Sequence, residues 1–418
     1  MKASLNNILT RYLLLIVLLH YFFMPTGSIF LFVFYAIGLF LMVARNVDSI
    51  LYAILFFLPL ENYFKFSEGT LSFVTIVIIL AMILYIFKYW KAIKINNIVF
   101  SFVAFIVILL RTFFLDGNTS MILFRLIINF NIILILGNVS KEKLIKTLYN
   151  GIDYFVLGAL SLCIVTCVRF VNTYGFTGVL NRRMYGFNGD DPNYMASYIC
   201  IAMTFVIIKD IGKNGKYNKL FLVLVFLLTG ILTQSRGFFL GIIPGILFLL
   251  YKIIKNINKI QVLVAITVVF VILFIERNYL FQLLDQVLTR FRVDDEVSSG
   301  RIIIWGNYLQ YIKNNPLEIL WGNIYLSNEY HRAHNVIIGA FTEEGLLMAI
   351  VELCYYFYIK SQLKVKALSE RGVIILASIF IVYQFINATL LNVFFYSIML
   401  EFSLVKYSVW KEKGLSVE

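Results

Sequence analysis

The sequence predicts an all-α polytopic membrane protein of about 12–14 transmembrane helices with a large, partly helical outer loop. Three observations lead there. Hydrophobic residues make up 61% of the 418 positions and charged residues only 14%, whereas soluble domains carry roughly a quarter charged residues. Apolar runs recur along nearly the whole length, many of them near the ~20 residues a helix needs to cross a bilayer. Lys and Arg fall in every second connection between those runs, as they do when basic loops stay on the cytoplasmic side.

Taken in order, the runs begin near residues 9, 28, 48, 70, 97, 120, 151, 192, 219, 237, 260, 335, 372 and 393, the third, ninth and last being the shortest. Residues 12–24 lack a following small-residue cleavage site and lead into another run, so they read as a span and not as a signal peptide. Uniformly apolar runs of this length exclude a β-barrel, whose strands alternate lipid-facing and lumen-facing residues. Residues 1–418 therefore read as one membrane domain.

The basic connections are marked by Lys2 and Arg11, by Arg45, by Lys88, Lys91 and Lys94, and by Lys141, Lys143 and Lys146. They continue with Lys209, Lys213, Lys216 and Lys219, then Lys252, Lys255 and Lys259, then Lys360, Lys364, Lys366 and Arg371, then Lys406, Lys411 and Lys413. These become cytoplasmic together with both termini, and they account for the net charge of +13 without a nucleic-acid partner. Residues 25–28, 61–70, 116–120, 174–191, 233–236 and 277–334 are left as outer connections. In the last, residues 280–292 read as an amphipathic helix, and a second helix starts at Arg301 with Ser299 as N-cap and ends at the Asn314-Asn315-Pro316 turn. Four cysteines, all in or beside apolar runs, indicate neither a disulfide framework nor a zinc site.

Outer connections should be poor in Arg, so the exceptions carry information. The first is Arg182-Arg183, followed by Asp191-Pro192-Asn193 at the start of a run. Asp191 and Pro192 suit an N-cap and first helical position. A helix N-terminus beside guanidinium groups also suits an anion such as phosphate. The second is Ser235-Arg236-Gly237 between two runs. Placing a charge at mid-membrane costs about 2.5–3.5 kcal/mol on insertion scales, so Arg236 either snorkels to the headgroups or lines a polar cavity. The third is Gly300-Arg301, four residues before Trp305. A cation at a helix start opposes the macrodipole, so a phosphate or a carboxylate such as Asp294 or Asp295 would have to compensate it. The fourth is His331-Arg332-Ala333-His334-Asn335, followed by Glu343-Glu344-Gly345. Histidine is the usual side chain for acid–base work near neutral pH, which makes His334 a candidate, and Glu344 falls near its helical face. The only other histidine, His20, lies in the first run, so the ligand set for a metal is incomplete and no metal or cofactor is expected. Arg125 and Glu352 are further charges inside runs.

Together these constellations resemble the O-antigen ligase and polysaccharide repeat-unit polymerase superfamily. The resemblance covers residues 180–350 and rests on Arg183 with Asp191-Pro192-Asn193, Ser235-Arg236-Gly237, Ser299-Gly300-Arg301 with Trp305, Asn315-Pro316-Leu317, and His334-Asn335 with Glu344-Gly345-Leu346. It implies a GT-C-like fold and a metal-independent, inverting glycosyl transfer at the outer face of the bacterial cytoplasmic membrane. The implied donor is an undecaprenyl-pyrophosphate-linked oligosaccharide, and a chain-length regulator is a possible partner. His334, Arg236 and Arg301 become catalytic candidates, while Arg182, Arg183, Asp191, Asn193, Ser235, Trp305 and Glu344 become substrate-binding candidates. Repeat-unit polymerisation is the favoured activity. Transfer of finished polymer to an acceptor, and transport of lipid-linked glycans without bond formation, are the alternatives.

Overall fold

A computed structural model describes residues 7–23, 29–65, 72–96, 141–187, 191–209, 216–256, 301–323 and 335–347, with isolated positions besides. The runs near 97, 120, 260, 372 and 393, the amphipathic stretch 280–292, Arg125, Asp294, Asp295, Glu352 and His334 lie outside the described residues, apart from scattered helical positions. Among the described residues the chain is helical and has no strand.

Eight apolar helices fall on the runs expected near 9, 28, 48, 70, 151, 192, 219 and 237. They are α1 (Asn7–Phe23), α2 (Ile29–Val43), α3 (Val47–Phe57), α4 (Phe73–Lys88), α5 (Lys141–Asn181), α6 (Pro192–Ile208), α7 (Lys216–Leu232) and α8 (Arg236–Asn256). Their outer faces show why lipid is the solvent. On α7, Leu220, Phe221, Leu224 and Leu228 are exposed, and on α8 so are Leu240, Ile243, Leu247, Leu250 and Tyr251. This spacing of three to four residues makes a continuous apolar stripe on each helix. A protein folded in water would bury such stripes.

The short α3 reaches further than its α-helical length allows because a 3₁₀ segment, Leu58–Phe64, continues it past Pro59. At about 1.5 Å per α-helical and 2.0 Å per 3₁₀ residue, the composite is roughly 30 Å long, enough for the hydrocarbon core. It pairs closely with α5. Tyr52 stacks on Tyr154 at 4.4 Å, and a Cβ on Gly158 would sit 2.0 Å from the Phe56 carbonyl oxygen. Glycine here lets two helix backbones touch, as small residues do between membrane helices. The central helix is α6, buried at fourteen of its seventeen positions, with α5, α7 and α8 packed round it.

Side-chain bonds gather the described helix ends at two places. At one end, Thr147 donates to Asp48 (2.6 Å), Lys143 lies 3.9 Å from Asp48, and Lys209 reaches the Tyr149 carbonyl (3.1 Å). At the other end, His20 meets the Tyr63 carbonyl (3.0 Å), Asn172 donates to Tyr21 (3.1 Å), and the rings of Tyr63 and Phe187 meet at 4.6 Å.

Three expectations need correction. Residues 174–191 are not all loop: α5 continues to Asn181 across a break at Gly175, whose φ of 69° favours glycine. Lys209, counted with the cytoplasmic loop charges, is buried and paired with Asp153 at 2.7 Å. The run from 335 is not one α-helix. It starts as α-helix (Val336–Gly339), widens to a π turn (Ala340–Glu344) and breaks at Gly345, where φ is 88°. The cause is contact: a Gly345 Cβ would fall 2.3 Å from the Trp321 carbonyl carbon.

Candidate functional site

Each of the four motifs proves to be a helix start. Asp191 caps α6, its carboxylate accepting from the Asn193 N–H (2.9 Å), with Pro192 in the first turn, as the sequence implied. Ser235 caps α8, its hydroxyl accepting from the Phe238 N–H (3.4 Å), which puts Arg236 at the first helical position. Arg301 opens α9 (Arg301–Asn314), which ends at the Asn315-Pro316 turn as expected, while the Ser299 cap lies outside the described residues. Asn335 accepts from the N–H groups of Ile337 (3.0 Å) and Ile338 (3.1 Å), so it caps the helix that follows His334.

The first two motifs meet at the end of the bundle that carries Tyr21 and Tyr63. The buried Ser235 hydroxyl donates to Asn193 Oδ1 (2.7 Å), and Arg183 Nη2 approaches the same oxygen at 3.5 Å. Arg183 Nε donates to the Thr233 carbonyl (3.3 Å), and the Met184 N–H donates to the Leu232 carbonyl (2.9 Å). Asn193 is therefore a hub between the 182–187 segment and the α7–α8 turn. That turn is tight enough to hold Gln234 at φ 51°, a conformation that costs a residue other than glycine of order 1 kcal/mol and clusters at functional sites.

The two neighbouring arginines differ. Arg183 is half-buried and bonded to the scaffold, so it does have the structural role that the sequence offered no reason for. Arg182 is exposed, its guanidinium 4.6 Å from the Tyr174 ring centre. The Tyr174 and Tyr185 hydroxyls share a hydrogen bond (3.4 Å), and that bond, then partial burial, pushes the Tyr185 phenol above its ordinary range.

The third and fourth motifs belong to a second, smaller packing unit. Tyr308 is fully buried against Leu326, Ile304, Tyr311 and Ile338. Its hydroxyl donates to Glu343 (2.8 Å), while the Asn323 N–H donates to the Thr342 carbonyl (2.7 Å). The segment after α9 is thereby tied to the π turn. Trp305 is half-buried on α9. Glu344 closes the π turn, so the α-helical spacing that put it on the face of His334 does not apply. The side chains of Arg301 and Glu344, and all of His334, lie outside the described residues.

Reading the sequence for outer-loop exceptions overlooked Arg169. It sits in the apolar stretch Val168-Arg169-Phe170 of α5, shortly before the break at Gly175, and donates to the carbonyls of Tyr185 (2.7 Å) and Gly186 (2.6 Å). The available signal was the one that singled out Arg125 and Glu352, a charge within an apolar run.

A family model described as O-antigen ligase matches residues 221–351. The match supports the resemblance to the O-antigen ligase and polymerase superfamily that the four motifs carry. The match spans about a third of the chain. It contains Ser235, Arg236, Arg301, Trp305, His334 and Glu344, while Arg182, Arg183, Asp191 and Asn193 precede it. The bonds from Arg183 to Thr233 and from Ser235 to Asn193 tie the preceding segment onto the matched one. No curated protein and no solved structure matches the chain. The match to residues 221–351 supports a membrane enzyme of the O-antigen ligase or polymerase type, acting on lipid-linked sugars.

Proposed function

We propose that this protein polymerises oligosaccharide repeats carried on undecaprenyl pyrophosphate, at the outer face of the bacterial cytoplasmic membrane, by inverting glycosyl transfer without a metal. The observation that supports this most is that all four motifs with exceptional Arg or His residues are helix starts, and the superfamily match spans three of them. A helix N-terminus presents free N–H donors and positive potential, and a guanidinium beside it adds a fork for phosphate oxygens. A cation there opposes the macrodipole unless an anion is shared.

In the proposed reaction a sugar hydroxyl attacks the anomeric carbon of the donor. The carbon–oxygen bond to the pyrophosphate breaks as the glycosidic bond forms, and the hydroxyl proton passes to His334. Arg236 and Arg301 stabilise the charge developing on the departing lipid diphosphate, which preorganised donors do best in a water-poor site. Arg182, Arg183, Asn193, Ser235, Trp305 and Glu344 shape the donor and acceptor subsites, with Asp191 holding the α6 start beneath them. A chain-length regulator would act beside the enzyme.

The family's description favours a second reading, transfer of finished polymer to an acceptor lipid. Purified protein incubated with a lipid-linked repeat and a chelator separates the two. A ladder of products supports polymerisation, and product formed only with an added acceptor lipid supports ligation. No transfer under either condition would refute both.

A further inference from the structure

We infer that Arg169, on α5, is a positioning residue that fixes the 182–187 segment and through it the junction bearing Asn193, Ser235 and Arg236. The inference rests on the proposed glycosyl transfer and adds to it a residue from outside the family match.

The segment is pinned at both halves. Its first half is held by the Met184 N–H on the Leu232 carbonyl and by Arg183 on the Thr233 carbonyl. Its second half is held by Arg169, whose Nη2 spans the Tyr185 and Gly186 carbonyls. The guanidinium lies 4.2 Å from the Phe187 ring centre, 5.2 Å from Tyr185 and 5.3 Å from Phe170. A planar cation among aromatic faces is held by their quadrupoles as well as by its hydrogen bonds. Phe187 in turn contacts Tyr63, which meets His20 on α1 through its ring and carbonyl.

The consequence lies on the other half of the segment. Met184 and Arg183 come one and two residues before Tyr185, so releasing the 185–187 end frees the strut that Arg183 makes to Thr233 and Asn193. Displacing a group in a catalytic arrangement by about 1 Å can cost ~100-fold in rate. Arg169 is engaged with carbonyls and rings of the scaffold, so its effect belongs in turnover more than in donor affinity.

The test is steady-state transfer by the purified full chain, using a lipid-linked repeat as donor. Arg169→Met is expected to lower kcat about 10- to 100-fold while KM changes less than about threefold, which marks loss of transition-state stabilisation. Arg169→Lys keeps a cation for the carbonyls but loses flat stacking, so its rate should lie between Met and wild type. Combining Arg169→Met with Arg183→Ala should cost little beyond the slower single variant, because both act through one strut. If the Met variant does not accumulate, the Lys variant's kcat and its combination with Arg183→Ala carry the test. Wild-type kcat in the substituted enzyme, a Lys variant no better than Met, or losses that multiply would overturn the inference. Arg236→Ala distinguishes the two levels. Full activity there defeats the proposed function itself, whereas an inactive Arg236→Ala beside a wild-type Arg169→Met defeats only the role of Arg169.

Discussion

Replacing Asp153 by Leu should destabilise the bundle more than any exposed charge substitution. Lys209 Nζ lies 2.7 Å from Asp153 Oδ1, with only 10% and 7% of the two side chains exposed. With an effective dielectric near 20, opposite charges at that distance attract by about 6 kcal/mol, much of it offset by the cost of removing both from water. Deleting Asp153 removes the attraction and leaves the ammonium with the Tyr149 carbonyl and ring. The expected loss is about 3–5 kcal/mol, the usual cost of stranding a buried charge. At about 2 °C per kcal/mol for a chain of this size, that lowers Tm by roughly 6–10 °C in detergent. Adding Lys209→Met should return most of it, since an apolar pair of similar volume is often neutral. Thermal unfolding followed by monodisperse elution gives the readout. If the double variant is as unstable as the single one, or the single one melts like wild type, the pair does not carry the stability assigned to it.

Gly345→Ala should reduce transfer activity and Tm together, because the new Cβ meets the Trp321 backbone and must hold φ near 88°. A melting curve like wild type would show that the break is not required. Asn335→Ala removes a cap accepting two N–H groups and should cost about 1 kcal/mol, whereas Asn335→Asp should cost little; equal melting of the two would contradict the capping role. Gly158→Leu should prevent accumulation in the membrane, since α3 and α5 are in backbone contact there, and membrane abundance by blotting is sufficient to check it. Arg183→Lys should keep only part of the activity, because one ammonium cannot serve both Thr233 and Asn193 from the Nε and Nη2 positions.

Much of this organisation is written in short-range signals. The runs that became α1 to α8 are set by apolar length, the start at Pro192 by the Asp191 cap and the end of α9 by the Asn315-Pro316 turn, all of them local effects. What escaped was long-range. Lys209 looked like a loop charge because its partner, Asp153, lies 56 residues earlier. Arg183 looked uncommitted because its acceptor is a carbonyl at Thr233, and a carbonyl has no sequence signature. Gly345 belongs to a recognisable motif, yet the reason for a glycine there is contact with Trp321 on another segment. The helical continuation to Asn181 past Gly175 was hidden because a glycine beside polar residues reads as the start of a loop.

The proposed transfer requires the arginine-bearing helix starts to share one lipid diphosphate. Equilibrium binding of undecaprenyl pyrophosphate to the purified chain, without metal, tests this in the wild type, Arg236→Ala, Arg301→Ala and the double variant. Each single substitution is expected to weaken binding about tenfold or more, equivalent to at least ~1.4 kcal/mol, and the double variant should fall short of the product of the two because the sites share a ligand. Unchanged binding in both single variants would contradict the claim.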